Sequence, residues 1–303
     1  MVNLQELRYL VAVADHRHFG KAASACCVSQ PTLSMQLKKL EDILGGQLVE
    51  RTNKAVHVTP LGEMVVARAR QALAEAEAIM DIARRRADPD VRNIEIGVIP
   101  TLCPYLLPWA IPAIRAAYPK FKLTVYEDFT ANLIARLDAY QLDAAILSVP
   151  VPHRGFESLT MFEEPFWFAC NQGHPLAAPG PIAGVELRQA EMLVLTEGHC
   201  MRDQMLTICD ASQVQVAGGD FRATSLETIV QMVKAGMGCT LLPGLAVRHA
   251  RESGLCVRAL EAKAARRVGF VWRGSYLGAD DIAKLADVIV AHLPETAQIR
   301  SLA

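Results

Sequence analysis

Residues 60–86 read as one uninterrupted helix, and no other stretch constrains the chain as strongly. The run is rich in alanine and charge, ends in Arg84-Arg85-Arg86, and is closed by Asp88-Pro89-Asp90, a helix-breaking sequence that marks a domain boundary. At about 1.5 Å per residue it reaches roughly 40 Å. Val65, Ala69, Ala72, Ala76 and Ile79 fall along one side. So long a stripe has too little chain nearby to cover it, and pairing with a second copy is the expected solution. The 303 residues therefore divide into an N-terminal unit (1–60), a dimerising connector (61–90) and a larger C-terminal unit (91–303).

The N-terminal unit reads as packed helices. Leu4, Leu7, Leu10, Val11 and Ala14 follow a helical period, and residues 19–28 repeat it with small side chains suited to close helix approach. Ser29 is a good N-cap for a third helix, with Pro31 tolerated in its first turn. Leu33, Leu37 and Leu40 point inward in that helix, while Gln30, Thr32, Ser34, Gln36, Lys38 and Lys39 point out. Two short helices of this kind, the second with an amide-rich and basic outer face, describe a helix-turn-helix. Gln, Ser and Thr suit base edges, and Lys suits phosphate. A small helical bundle with a solvated face shows the same pattern. Residues 50–60 read as a hairpin wing presenting Arg51 and Lys54. Net charge is −1, but residues 1–87 carry twelve Lys/Arg against nine Asp/Glu, a mild basic tilt.

Beyond residue 90 strands and helices alternate: strand 93–99, helix 105–118, strand 122–127, helix 130–142, strand 143–149. This rhythm predicts a parallel, doubly wound α/β sheet with a ligand site at the strand carboxyl ends. Thr101 and Thr130 both fall at strand-to-helix junctions, where a bound ligand is expected, although helix N-capping is the better reading of each taken alone. Further strands are expected at 166–169, 192–196 and 268–272, and a capping box at Thr224 and Glu227 opens a helix to residue 235.

The chemistry concentrates in Glu197-Gly198-His199-Cys200-Met201-Arg202-Asp203-Gln204 and in Cys209 beyond it. Most free cysteines pack as small hydrophobes, but Cys200 stands among polar and cationic neighbours, which favour the reactive thiolate. Were residues 200–209 one straight helix, the two Cα atoms would lie roughly 13.5 Å apart and on opposite faces. A disulfide needs about 4.4–6.8 Å, so bonding these two sulfurs would require the segment to unwind. The chain shows no secretory signal and no apolar run near the ~18 residues needed to span a bilayer, so a reducing cytoplasmic home is expected. There, eight cysteines are no disulfide framework. Cys26 and Cys27 are adjacent and no Cys-x-x-Cys occurs, so neither a metal site nor a cofactor is implied.

The order of these parts resembles the LysR-type transcriptional regulators: winged helix-turn-helix, long linker helix, two-lobed effector domain. The residues that carry the resemblance are Phe19 with Ala22-Ala23, Ser29-Gln30-Pro31-Thr32-Leu33-Ser34, Leu40-Glu41, Glu50-Arg51 and Thr59-Pro60-Leu61-Gly62. The resemblance narrows to the hydrogen-peroxide-sensing members through Pro100-Thr101, Glu127-Asp128-Phe129-Thr130, Gly198-His199-Cys200 with Arg202-Asp203-Gln204, and residues 221–227.

The resemblance implies a periplasmic-binding-protein-like effector fold and a homodimer or homotetramer bound to double-stranded promoter DNA. Hydrogen peroxide would be the signal, a thiol reductant would reset the protein, and RNA polymerase would be a partner. It implies that Cys200 is the peroxidatic thiol, that Cys209 resolves it as a disulfide, and that Thr101, Thr130, His199 and Asp203 hold peroxide. Gln30, Pro31, Thr32, Ser34, Gln36, Lys38, Arg51 and Lys54 would face DNA. Cys103, Cys170, Cys239 and Cys256 are thiols that this pattern does not require. Three rivals stay open: a LysR-type regulator answering a small anionic metabolite without cysteine chemistry, a thiol peroxidase using Cys200, and, as the weakest, a metal role for His199, Cys200 and Cys209.

Overall fold

The computed structural model describes residues 1–51, 56–87, 91–209, 215–216, 223–294 and 298–302. It forms two compact units, Met1–Val91 and Arg92–Ala303.

In the first unit, helices α1 (Leu4–His16), α2 (Phe19–Ala25) and α3 (Gln30–Leu44) precede a hairpin of β1 (Val49–Arg51) and β2 (Val56–Val58), and α4 (Pro60–Ala87) follows. Local chemistry sets each boundary. Asn3 and Glu6 form a reciprocal capping box that starts α1. Ser29 accepts the Thr32 N–H to start α3, and Gly45, at φ 71°, closes it in the left-handed region. Leu10, Val13, Ala22, Leu33, Leu37 and Leu40 are buried together. The Thr59 hydroxyl accepts the Gly62 N–H (3.0 Å) and donates to the Gln47 carbonyl (2.7 Å), so the turn into α4 locks onto the wing. A Cβ on Gly62 would lie 2.1 Å from the Leu48 carbonyl oxygen, so only glycine permits this approach. An Arg70–Asp15 ion pair joins α4 to α1. The stripe expected to need a second copy is partly covered within the single chain: Ala69 is buried and Val65, Ala72 and Ala76 are half-buried, and only farther along α4 are Ile79, Met80 and Ile82 exposed.

The second unit runs β3 (Arg92–Val98), α5 (Cys103–Ala117), β4 (Phe121–Glu127), α6 (Thr130–Asp138), β5 (Ala144–Val149) and β6 (Phe156–Cys170). Then come α7 (Gly184–Gln189), β7 (Glu191–Met192), α8 (Cys200–Ile208), β8 (Gln215–Val216), α9 (Leu226–Lys234) and β9 (Thr240–Pro243). The chain finishes with α10 (Val247–Glu252), β10 (Cys256–Ala259), β11 (Ala265–Arg273), α11 (Ala279–Ala291) and β12 (Arg300–Ser301). The main sheet has the order β10-β6-β11-β5-β3-β4.

Strand β3 runs parallel to both β4 and β5, as the βαβ rhythm predicts, but β11 runs antiparallel to β5 and β6. The sheet is therefore mixed. The physical reason is β6: its first ten residues pair with β11, and its last five pair with β9 and β10 in a second lobe. A 15-residue strand shared between lobes forces the chain to leave one lobe and return.

Other sequence expectations differ in detail. The helix expected to reach residue 142 stops at Asp138, and Arg273 donates to the freed carbonyls of Leu137 and Leu142 (2.6 Å each). The strand expected over 192–196 shrinks to Glu191–Met192 plus a bridge from Leu195 to Ala223. The Thr224 capping box does not form. Ser225 is the N-cap, and the Glu227 carboxylate instead faces His249, Gln231 and Tyr105.

Glu164 of β6 and Arg266 of β11 form an ion pair with no solvent exposure (2.8 Å), the second carboxylate oxygen accepting the Leu245 N–H (2.8 Å). Removing one partner strands the other charge, so Glu164→Gln is expected to cost about 3–5 kcal/mol by urea denaturation of the full chain. Replacing both residues by apolar ones should recover most of that loss.

Candidate functional site

Adjacent parallel strands end together, so the register of β3 with β4 decides which loops meet. Val98 pairs with Glu127, and the Asp128 N–H donates to the Val98 carbonyl (3.3 Å). Three residues beyond each of those strand ends stand Thr101 and Thr130, now on one sheet edge. Ser148, near the end of β5, shares that edge because β5 is parallel to β3 on its other side. This is the reversal of strand order at which open α/β sheets bind ligands.

Neither threonine caps a helix with its side chain. Leu102 is the N-cap of α5 and Phe129 that of α6, both without a side-chain cap bond. Thr101 is buried, and its hydroxyl oxygen accepts from Arg266 Nη1 (2.9 Å) while Nη2 reaches its carbonyl (3.3 Å). An oxygen that accepts from a guanidinium keeps its own O–H free to donate elsewhere. The Thr130 Oγ1 is buried with no partner among the described residues.

The loop before α8 docks on the same edge. Gly198, at φ 96°, adopts the left-handed conformation that favours glycine, and its missing Cβ would sit 3.6 Å from the Phe129 ring. The buried His199 ring meets Phe129 edge-on, with centroids 4.7 Å apart. Its Nε2 has no partner among the described residues. From α8, Gln204 Nε2 donates to Ser148 Oγ (3.0 Å), while Gln204 Oε1 is a third buried polar atom without a described partner. An unsatisfied buried polar atom costs about 1–3 kcal/mol, so three gathered at one edge suit a small polar ligand with donors and acceptors.

Cys200 is the first residue of α8 and is half-buried. Cys209 is its C-cap, buried, with its thiol pushed up to about 11 by desolvation. Both thiols are free. The straight-helix condition stated for residues 200–209 thus holds: roughly 13.5 Å and opposite faces separate the two. Met201 and Met205 bury the inner face of the helix.

Two neighbours of Cys200 in sequence have settings of their own. Arg202 Nη1 donates to the Leu195 carbonyl (2.8 Å), and Asp203 is exposed on the first turn of α8. Arg266 and Glu164, which organise Thr101, went unrecognised in the sequence. The available signal was a charged doublet in an apolar strand, Arg266-Arg267, of which only Arg266 is buried. In the N-terminal unit, Gln30, Pro31 and Lys38 are exposed on α3, Ser34 and Gln36 are half-buried, and the Thr32 hydroxyl is within 2.7 Å of Ser29 Oγ. Arg51 ends β1, and Lys54 lies outside the described residues.

Residues 4–63 match the bacterial regulatory helix-turn-helix of the lysR family, and residues 87–294 match the LysR substrate binding domain. The chain belongs to the LysR family of transcriptional regulators. Its relatives narrow that class. It is 40% identical to the hydrogen peroxide-inducible genes activator of Pectobacterium carotovorum subsp. carotovorum, over 96% of this chain and 97% of that protein. It is 39% identical to the DNA-binding transcriptional dual regulator OxyR of Escherichia coli K12, over 96% of each. A cysteine-to-aspartate variant of full-length OxyR from Pseudomonas aeruginosa superposes with a TM-score of 0.84 at 36% identity, covering 100% of this chain and 99% of that one. The oxidized form of Corynebacterium glutamicum OxyR gives 0.58 at 32% identity, covering 95% and 92%.

Burial lowers the His199 pKa from its ordinary value, opposed by a hydrogen bond to the Thr224 backbone. The unfolded chain therefore takes up this proton at a higher pH than the folded one. The contribution to stability is complete above about pH 6.5 and is lost as pH falls through that value toward the lower folded pKa. Thermal melts between about pH 7 and 5 should show Tm declining, with a shallower slope in His199→Gln.

Proposed function

We propose that this chain is a peroxide-responsive transcription regulator in which Cys200 is the oxidised thiol and Cys209 its resolving partner. The observation that carries the reading is α8 itself: two free thiols at its two ends, the first following His199, whose Nε2 is unpartnered among the described residues and whose ring packs on Phe129, the residue before Thr130. Its curated relatives named above are called peroxide-inducible activators and OxyR.

Thr101, Thr130 and His199 hold the peroxide by hydrogen bonds, with the Thr101 hydroxyl aimed by Arg266. Asp203, exposed on the first turn of α8, completes the set. The Cys200 thiolate attacks one peroxide oxygen, giving sulfenic acid and hydroxide. Cys209 then displaces the sulfenic oxygen as water and closes the disulfide, so two thiols and one peroxide yield one disulfide and two waters. A thiol reductant reverses the bond. Because a bonded pair cannot coexist with an intact α8, oxidation unwinds that helix and repacks the surfaces around it. A disulfide typically contributes ~2–4 kcal/mol, against the ~5.5 kcal/mol needed to move a population from 1:99 to 99:1. Repacking between subunits must supply the rest.

Residues 1–60 read promoter DNA through Gln30, Pro31, Thr32, Ser34, Gln36 and Lys38 of α3, with Arg51 and Lys54 from the wing. Residues 61–90 pair copies through the exposed Ile79, Met80 and Ile82, and residues 91–303 sense the oxidant. The assembly is a homodimer or homotetramer in the cytoplasm, with RNA polymerase as its downstream partner.

Peroxide treatment followed by peptide mapping should link Cys200 to Cys209, and Cys200→Ser should abolish the peroxide-dependent change in promoter footprint. A Cys200→Ser protein that still responds would end the proposal. Lys38→Ala should weaken binding on all sequences and reduce the salt slope by about 1, whereas Gln30→Ala should cost about 1–3 kcal/mol at a single base-pair position.

A further inference from the structure

Strand β6 ends at Cys170, and the sheet there sets three thiols in a row. In the antiparallel pair of β10 with β6, Cys256 stands directly opposite Cys170. On the other side the β6–β9 register ends with Ala169 opposite Thr240, so the next pair in sequence is Cys170 with Cys239. Side chains directly opposite each other project from the same face of a sheet. Opposed Cα atoms lie about 5.5 Å apart in a hydrogen-bonded antiparallel pair and about 4.5 Å apart in the other kind. Both fall inside the ~4.4–6.8 Å that a disulfide spans. The Cys170 and Cys256 thiols are close enough to interact electrostatically. Unlike the pair at the ends of α8, these two residues already stand within the Cα range of a disulfide, and a small closing of the two strands brings the sulfurs together.

The three thiols differ in access. Cys170 and Cys239 are fully buried, and the Cys239 sulfur lies 3.4 Å from His174 Nε2. Cys256 is half-buried and lines a surface cavity of about 380 Å³ between β10 and the 177–181 loop. Arg258 makes that cavity a fixed feature: its guanidinium donates to the carbonyls of Leu176, Gly180 and Pro181 and to the Glu186 carboxylate. Among the described residues no group of three His, Cys, Asp or Glu side chains is arranged to hold a metal ion. The row is thus suited to thiol chemistry.

We propose that Cys256 and Cys170 are a second redox dithiol, oxidised by a small peroxide that enters the cavity beside the 177–181 loop. The Cys256 thiol loses its proton to solvent, the thiolate attacks a peroxide oxygen, the O–O bond breaks, and Cys256 sulfenic acid forms with release of hydroxide, which takes up the released proton to become the first water. Burial holds the Cys170 thiol protonated, pushed up to about 12, so it does not begin the reaction. It acts next: its sulfur bonds to the Cys256 sulfur, and its proton leaves with the sulfenic oxygen as water. Two thiols and one peroxide give one disulfide and two waters. The bond staples β10 to the end of β6 in the register they already have. It therefore stiffens the second lobe and spares Cys256 from irreversible oxidation, without unwinding any helix.

The site is independent of Cys200, and the test separates the two. A full-length Cys200→Ser, Cys209→Ser variant retains six of the eight cysteines. It is treated with hydrogen peroxide, alkylated and mapped by mass spectrometry. The expected result is a Cys170–Cys256 peptide, loss of two titratable thiols, a higher Tm, and full reversal by dithiothreitol. Cys256→Ala in the same background, with its fold checked by circular dichroism, should keep all its remaining thiols. Sulfenic or sulfinic Cys256 without a crosslink, a Cys170–Cys239 bond instead, or six thiols unchanged after peroxide would each overturn the proposal. In the unsubstituted chain the same map should show two intrachain disulfides.

Discussion

The backbone ladder of α8 holds two thiols at opposite ends and on opposite faces of one short helix, and the rest of the second unit is arranged around that separation. Met201 and Met205 anchor the helix in the core, Gln204 ties it to Ser148 of β5, and Gly198 lets the preceding loop turn tightly onto Phe129. None of these contacts is strong alone. A nine-residue helix has little intrinsic stability, so its persistence depends on this packing, and packing of that kind can be exchanged for another when a covalent bond demands it. That is the physical content of a switch: a local element whose folded form excludes a bond that its own side chains are able to make.

The buried Arg266–Glu164 pair plays a different part. Two charges without solvent exposure are expensive to desolvate, and replacement by apolar residues would often be neutral or stabilising. Here the guanidinium also reaches the Thr101 hydroxyl and carbonyl, so the pair joins β6, β11 and the β3–α5 loop at one point. It fixes which way the threonine hydroxyl faces. Cys103, two residues from Thr101, is not poised for the same chemistry: burial and the neighbouring Glu127 push its thiol up to about 12. Proximity in sequence to Thr101 did not give it a setting that favours the thiolate.

The helical elements of the first unit were legible because each boundary has a local cause. Capping residues, a tolerated first-turn proline, a left-handed glycine and a repeat of leucines act within a few residues of one another. In the second unit the same logic recovered β3, α5, β4 and β5, where strand and helix periods alternate cleanly. It failed where long-range pairing overrode local pattern. The Thr224 capping box was lost because Glu227 found His249 and Tyr105, which lie far away in sequence. The span of β6 was missed because only its last third looked like a buried strand, and the antiparallel return of β11 has no local signature.

From the sequence alone came the family architecture, the polar setting of Cys200, and the incompatibility between an intact helix and a bond to Cys209, since helix geometry turns spacing directly into distance. Only the tertiary structure decided that Thr101, Thr130, Ser148 and His199 share one edge, because strand register brings together residues that are remote along the chain. It alone placed Arg202 on the Leu195 carbonyl, left Asp203 exposed, buried Arg266 rather than Arg267, and set Cys170 opposite Cys256. A pairing between strands depends on where two distant segments align, and no property of either segment by itself encodes that alignment.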